Sequence, residues 1–261
     1  MSVAEPADDR SAGHALNELG FAVTRAGVER LRGTAAIPPE LRVPGTSVLR
    51  TSVLAAWADT LTGLLAVDVM GPRVPVTLQL DVDLHAAPAG VERVVATARP
   101  LKVGRSVFAA TVDFADEHER VLGRASGLFV VSPDPGARMP AGVNPVDQLA
   151  EPGGPLRVPL ADRVGCVRRS AGEAALPRRD DGLNAAGTVN GGLLALVVEE
   201  AVLGALPGTT LASLAMRYLR PVRVGPAVAT AVVHGSLAEV TVHDEGRDDV
   251  VAVAATARVF S

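Results

Sequence analysis

The sequence predicts an α+β protein built twice over, each unit a long central helix wrapped by an antiparallel sheet. Three observations carry that reading. Residues 48–66 (VLRTSVLAAWADTLTGLLA) and 189–206 (VNGGLLALVVEEAVLGAL) are long, almost wholly apolar and free of proline, the pattern of a buried helix. Each is followed by an alternating segment and then by a β-rich stretch with two polar breaks. Between the copies, residues 132–159 hold seven prolines and several glycines, a composition that breaks both helix and strand.

Taken in order, residues 22–37 read as a first strand, 48–66 as the first helix and 76–85 (VTLQLDVDLH) as an alternating strand. Residues 91–131 then break at Gly104 and around 115–120, which describes a three-stranded meander. The second half repeats the order: a strand within 163–176, the helix at 189–206, the strand at 211–220 (LASLAMRYLR), and a meander over 227–260 that breaks at Gly235 and 244–249. The repeat offset is 140 from Asp59 to Glu199, 135 from Gly90 to Gly225 and 131 from Gly104 to Gly235, a drift that small loop deletions explain. Two units of this size are a duplication rather than an array of short repeats. The expected boundaries are 1–135 for the first domain, 136–159 for the Pro/Gly-rich connection and 160–261 for the second domain. A sheet curled round one apolar helix buries both surfaces at once.

The 261 residues are 48% hydrophobic and 21% charged, enough to fill large cores. A net charge of −4 with no basic run argues against a nucleic-acid partner. Cys166, the single cysteine, has no disulfide partner and reads as a small buried hydrophobe in a reducing compartment. The first ten residues carry Glu5, Asp8 and Asp9 with no apolar run behind them, unlike a secretory signal. No stretch reaches the roughly 18 continuous apolar residues of a membrane span, so a cytoplasmic protein without a membrane partner is expected. The five histidines lack metal-ligand spacing, and no metal site is expected. Lys102 is the only lysine, a sign of GC-rich coding that weakens any argument from abundant arginine.

The chemistry concentrates in residues 184–199 (NAAGTVNGGLLALVVE) and 218–225 (YLRPVRVG). These resemble the phenylacetyl-CoA thioesterase-like branch of the hotdog superfamily, which typically shows an Asn, a His-Gly-Gly at the helix start, and an Asp or Glu nine residues after the His. Asn190 stands here in place of that His. The resemblance implies a double hotdog fold and hydrolysis of an acyl-CoA or acyl-carrier-protein thioester. Coenzyme A would then be part of the substrate, with no separate cofactor, and two double units would pair as a homodimer.

The residues themselves support that chemistry. Gly191 and Gly192 open a helix where free backbone N–H groups can polarise a thioester carbonyl, and a nearby carboxylate can activate water or attack the carbonyl carbon. At 1.5 Å per residue, Glu199 lies roughly 10 Å from the Gly191 amide, too far to share one carbonyl with it. The resemblance implies instead that the helix start of one unit faces the carboxylate of the other. Asn184, Asn190, Gly191 and Gly192 would then face Asp59, with Thr77 supporting the carboxylate or the water and Asn184 orienting the water or the acyl group. Glu199 is the second candidate carboxylate. Its reciprocal helix start holds Arg50, Thr51 and Ser52, with Pro44 in the place of Asn184, so that site reads as degenerate and Glu199 as vestigial or reused in structure. Arg220 and Arg223, with Arg217, Lys102 and Arg105, are candidates for the phosphates of coenzyme A, set against the ordinary reading of a solvated rim. Asp59 has a bland reading too, as a structural carboxylate bonded to backbone, but an unpaired charge in an apolar helix is costly and marks a candidate site.

A non-catalytic acyl-CoA binding or sensing protein is the alternative, motivated by the missing His. A hotdog dehydratase is disfavoured because neither central helix carries a His, and a transcriptional regulator because no helix-turn-helix segment lies outside the two halves.

Overall fold

The computed structural model describes residues 13–134, 136–139, 146–151, 153–184 and 186–260. The acidic N-terminal segment and part of the proline-rich connection lie outside them. In chain order the elements are β1 (Ala22–Arg25), β2 (Leu31–Ala36), α1 (Thr51–Met70), β3 (Pro75–Leu84), β4 (Arg93–Val103), β5 (Val107–Asp116) and β6 (Val121–Val131). The second half follows with a short helix α2 (Leu160–Val164), β7 (Val167–Ser170), β8 (Glu173–Leu176), α3 (Gly191–Ala205), β9 (Leu211–Tyr218), β10 (Ala227–His234), β11 (Leu237–Asp244) and β12 (Val250–Val259). Among the described residues, three short 3-10 turns sit in the first half and its connection, and one in the second half.

All twelve strands form one antiparallel sheet in the order β1-β2-β4-β5-β6-β3-β9-β12-β11-β10-β8-β7. Read from either edge, the order is the same under the exchange of one half for the other. The seam is β3 against β9, where Gln79 pairs with Arg217 and Asp83 with Ser213. The duplication read from the sequence is therefore a pseudo-twofold in space. Each half curls round its own helix: α1 packs on β2 to β6 and α3 on β7, β8, β10 and β11, while both touch β9 and each other.

Where a single strand was expected before each helix, the chain forms a hairpin. Residues 26–30 turn β1 back onto β2, and Gly172, at φ 84°, lies between β7 and β8. These strands are only four to six residues long, too short to leave a clear period in the sequence.

The helices are apolar on nearly every side because each has sheet or the other helix around it. By length and composition α1 could cross a membrane, yet 67% of its most apolar window is buried within the protein. Trp57 on α1 is 1% exposed and stacks on Phe21, with ring centroids 4.9 Å apart. The two helices cross closely: a Cβ on Gly192 would fall 2.7 Å from the Cβ of Ala56. Only glycine allows that approach, which fixes the start of α3 beside the middle of α1.

Candidate active site at the crossing of the two central helices

The helix crossing brings residues of both halves to one point. Asp59 lies two turns into α1 and is partly buried. Its Oδ1 accepts a hydrogen bond from Thr77 Oγ1 at 2.9 Å. Its Oδ2 lies 3.3 Å from where a Cβ would stand on Gly191, and the Tyr218 hydroxyl lies 3.2 Å from that same position. A side chain at residue 191 would crowd both groups.

A β-bulge makes the Thr77 contact possible. Leu80, Val82 and Leu84 on β3 point into the core, so strict alternation would send Leu78 inward and Thr77 outward. The pairing of β3 with β6 slips between Thr77 and Gln79. Leu78 is pushed out to 38% exposure and Thr77 turns towards α1. Re-aiming a side chain beside a site is a common use of such bulges.

The start of α3 is built by Asn190. Its backbone is extended, and its side-chain oxygen accepts from the Gly192 N–H at 2.8 Å, a standard N-cap. Leu193 and Leu194 both donate to the Asn190 carbonyl. The Gly191 N–H alone in this turn has no acceptor among the described residues. Tyr218 Oη donates to the Gly191 carbonyl at 3.0 Å and pins the glycine in place.

Burial pushes the Asp59 carboxyl up to about 6, against the opposing pull of the Thr77 hydrogen bond. Burial, then the charge of Asp59, holds the Tyr218 hydroxyl well above its ordinary value. Asp59 therefore titrates just below neutrality, where a general base works best, and Tyr218 stays a neutral donor.

The structure places the other sequence-predicted residues differently. Asn184 is exposed, and its side-chain oxygen accepts from the Ala186 and Thr188 N–H groups and from Thr188 Oγ1, so it closes its own loop. No hydrogen bond links it to Asp59 among the described residues. The Gly192 N–H is taken by Asn190, which leaves Gly192 to helix packing rather than to ligand contact. Glu199 is 0% exposed. It accepts from Thr51 N at 2.9 Å, Ser52 N at 3.4 Å and Ser52 Oγ at 2.6 Å, and pairs with Arg50 Nη1 at 3.2 Å. The sequence set Glu199 among the catalytic candidates; in the structure it caps α1, and every amide it touches is closed to a substrate.

Arg220 and Arg223 are exposed and make no ion pair among the described residues. Asp244 fixes the loop that carries Arg223: burial raises its pKa, but the N–H groups of Arg223, Val224 and Gly225 more than offset that and hold it low. Arg217 is paired with Asp81 at 2.6 Å. One residue of the site, Tyr218, was given no role from the sequence. Tyr218 was visible only as the first letter of a motif, and its alternation with Leu214 and Met216, both buried, was the available sign that it points inward.

Residues 48–122 match the family model described as Thioesterase superfamily. Among curated protein sequences, none matches this chain. Three solved structures superpose over nearly their whole length. A 12:0-ACP thioesterase from Umbellularia californica gives a TM-score of 0.63 at 16% identity, over 88% of this chain and 94% of that one. An acyl-ACP thioesterase from Bacteroides thetaiotaomicron gives 0.61 at 15% identity, over 88% and 98%. A hot dog fold protein of unknown function from Alicyclobacillus acidocaldarius gives 0.61 at 18% identity, over 95% and 97%. The chain is thus a double hotdog protein. The segment within it that carries α1, Asp59 and Thr77 is the one that matches the thioesterase superfamily.

Proposed function

We propose that the protein is a cytoplasmic thioesterase that hydrolyses an acyl-CoA or acyl-carrier-protein thioester at a single site per chain. The observation that carries this reading is the meeting of an under-coordinated carboxylate, Asp59, with the one unclaimed amide at the start of α3, that of Gly191. The thioester carbonyl docks with its oxygen on the Gly191 N–H, supported by the positive end of α3. Ionised Asp59, steadied by Thr77, takes a proton from a water molecule, and the resulting hydroxide attacks the carbonyl carbon. When the tetrahedral intermediate collapses, the C–S bond breaks and the thiolate leaves with the proton that Asp59 holds. The products are one carboxylic acid and one thiol, and Asp59 is ionised again.

In this reading Asn190 sets the Gly191 amide through the N-cap, and Tyr218 holds it from the carbonyl side. Arg220 and Arg223, exposed and without an ion pair among the described residues, are offered to the phosphates of the thiol carrier. Asn184, whose side-chain NH2 has no partner among the described residues, is offered to the water or the acyl group. Double units are proposed to pair as a homodimer.

Release of free thiol from a panel of acyl-CoA and acyl-carrier-protein substrates tests the reading. The expected result is turnover that Asp59→Ala removes. Tight acyl-CoA binding without turnover in the intact protein would favour a binding or sensing role instead.

A further inference from the structure

Most of α1 is sealed inside the first half, but one of its faces is not. Asp59, Thr60, Gly63 and Val67 are partly accessible, while residues between them such as Leu61, Thr62 and Leu65 are buried. Spacings of three and four residues set the accessible positions in one line along the helix. Towards the start of α1 that line is closed, where Ala56 meets Gly192. From Asp59 towards the end of the helix it stays accessible.

Strand β3 runs back along the same face. Thr77, which bonds Asp59, pairs with Phe129 on β6, and Pro75 pairs with Val131 further along. Alternation turns these side chains towards α1, so beyond Thr77 the wall is apolar. A Cβ at Gly63 would meet nothing outside the helix nearer than the Phe129 ring, at 3.8 Å. Unlike Gly192, this glycine answers no close approach and leaves room for a side chain.

The second half shows the same face with that room taken. At the offset of 140 that relates Asp59 to Glu199, Thr60, Gly63 and Val67 correspond to Glu200, Leu203 and Pro207. Those three line a cavity of about 540 Å³, whose inner end is closed by Arg50 on Glu199. On α1 the inner end instead holds Asp59 and the unclaimed Gly191 amide, and glycine stands in place of Leu203.

We infer that this face is the acyl subsite of the Asp59 site: a straight acyl tail of medium length lies along α1 past Gly63 to Val67, admitted by the missing side chain at Gly63. The inference rests on the thioesterase reading for where the carbonyl carbon lies. With the oxygen on the Gly191 N–H and the carbon beside Asp59, the tail passes onto apolar surface rather than into water. At 1.5 Å per residue, Asp59 to Val67 spans about 12 Å, the length of about ten extended carbons. Each methylene laid against Gly63, Phe129 and Val131 leaves water, which favours a longer tail over a short one.

S-decylpantetheine and S-butylpantetheine carry the arm common to coenzyme A and carrier proteins, and their thioether bonds are not hydrolysed. Titrated calorimetrically into the full chain, the decyl compound should bind at least about tenfold more tightly than the butyl one. Gly63→Leu gives α1 the side chain that α3 has at the matching position, and should lower that ratio by at least about tenfold in a protein folded by circular dichroism. Val67→Phe blocks the far end and should lower the ratio too; it serves if the leucine variant melts early. Equal binding of the two compounds by the wild type, or a ratio that folded Gly63→Leu leaves unmoved, would overturn the inference. Hydrolysis of the decanoyl and butyryl thioesters, followed in parallel, separates this subsite from the reading it rests on. Binding that obeys Gly63 without turnover of either thioester would leave the subsite standing and remove the hydrolase. Turnover indifferent to tail length and to Gly63→Leu would keep the hydrolase and overturn the subsite.

Discussion

At the start of α3, the facing carboxylate is Asp59, held by one hydroxyl beside an amide that has no acceptor. At the start of α1, the matching carboxylate is Glu199, which takes two backbone N–H groups, a hydroxyl and an arginine, with no exposure to solvent. The two helix starts therefore use one device, a carboxylate from one helix set against the N-terminus of the other. The number of donors decides the outcome. With a single hydrogen bond and partial burial, the proton affinity of Asp59 rises into the range useful for base chemistry. With four partners, Glu199 becomes a helix cap that ties the halves together.

The largest expected effect breaks that comparison into its two terms. Asp59→Ala should lower kcat by about a hundredfold to ten-thousandfold, the usual contribution of a general base, with folding intact by circular dichroism. Glu199→Ala should leave kcat near the wild-type value when assayed where both proteins are folded. It should instead destabilise the chain by about 3–5 kcal/mol in denaturant titration, the usual cost of leaving a buried ionic partner uncompensated. Equal losses of kcat in the two variants would mean that both ends are catalytic.

A smaller effect concerns what the strained carboxylate costs the fold. Between about pH 4 and pH 6 the native state holds a proton on Asp59 that the unfolded chain has already released. Stability therefore falls as pH rises through that window, and the full cost is present above pH 6. With each unit worth about 1.4 kcal/mol, Asp59→Asn should stabilise the protein by at most about 3 kcal/mol at pH 8 and by little at pH 4. Denaturation midpoints at the two pH values read this directly. No difference between them would show that Asp59 is better solvated than its position implies.

The contrast between the two ends was partly legible in the sequence. The apolar runs at 48–66 and 189–206 mark the helices because period and length agree, and Arg50-Thr51-Ser52 against Asn190-Gly191-Gly192 already showed that one helix start had lost its glycines. What stayed hidden was set by tertiary contacts. The bulge at Leu78 reverses the facing of Thr77, and a bulge leaves no fixed residue pattern in a valine- and leucine-rich strand. Asn184 was assigned to the site by resemblance, whereas its side-chain oxygen closes a local turn over Ala186 and Thr188. The partners of Glu199 come from residues about 148 positions away, and no local window contains them.

The smallest effect tests the one hydrogen bond that distinguishes Asp59 from a bare buried carboxylate. The Thr77 hydroxyl donates to Oδ1 and so favours the ionised form, lowering a pKa that burial has raised. Thr77→Val keeps the shape of the side chain and removes the donor. The lower inflection of kcat/KM, expected near pH 6 in the wild type, should move to higher pH, by up to about one unit if the bond is worth about 1 kcal/mol. Activity at pH 8 should be affected much less than at pH 6, because Asp59 is ionised there in either protein. A uniform loss at all pH values with an unmoved inflection would assign Thr77 to holding the water or substrate rather than to tuning the carboxylate.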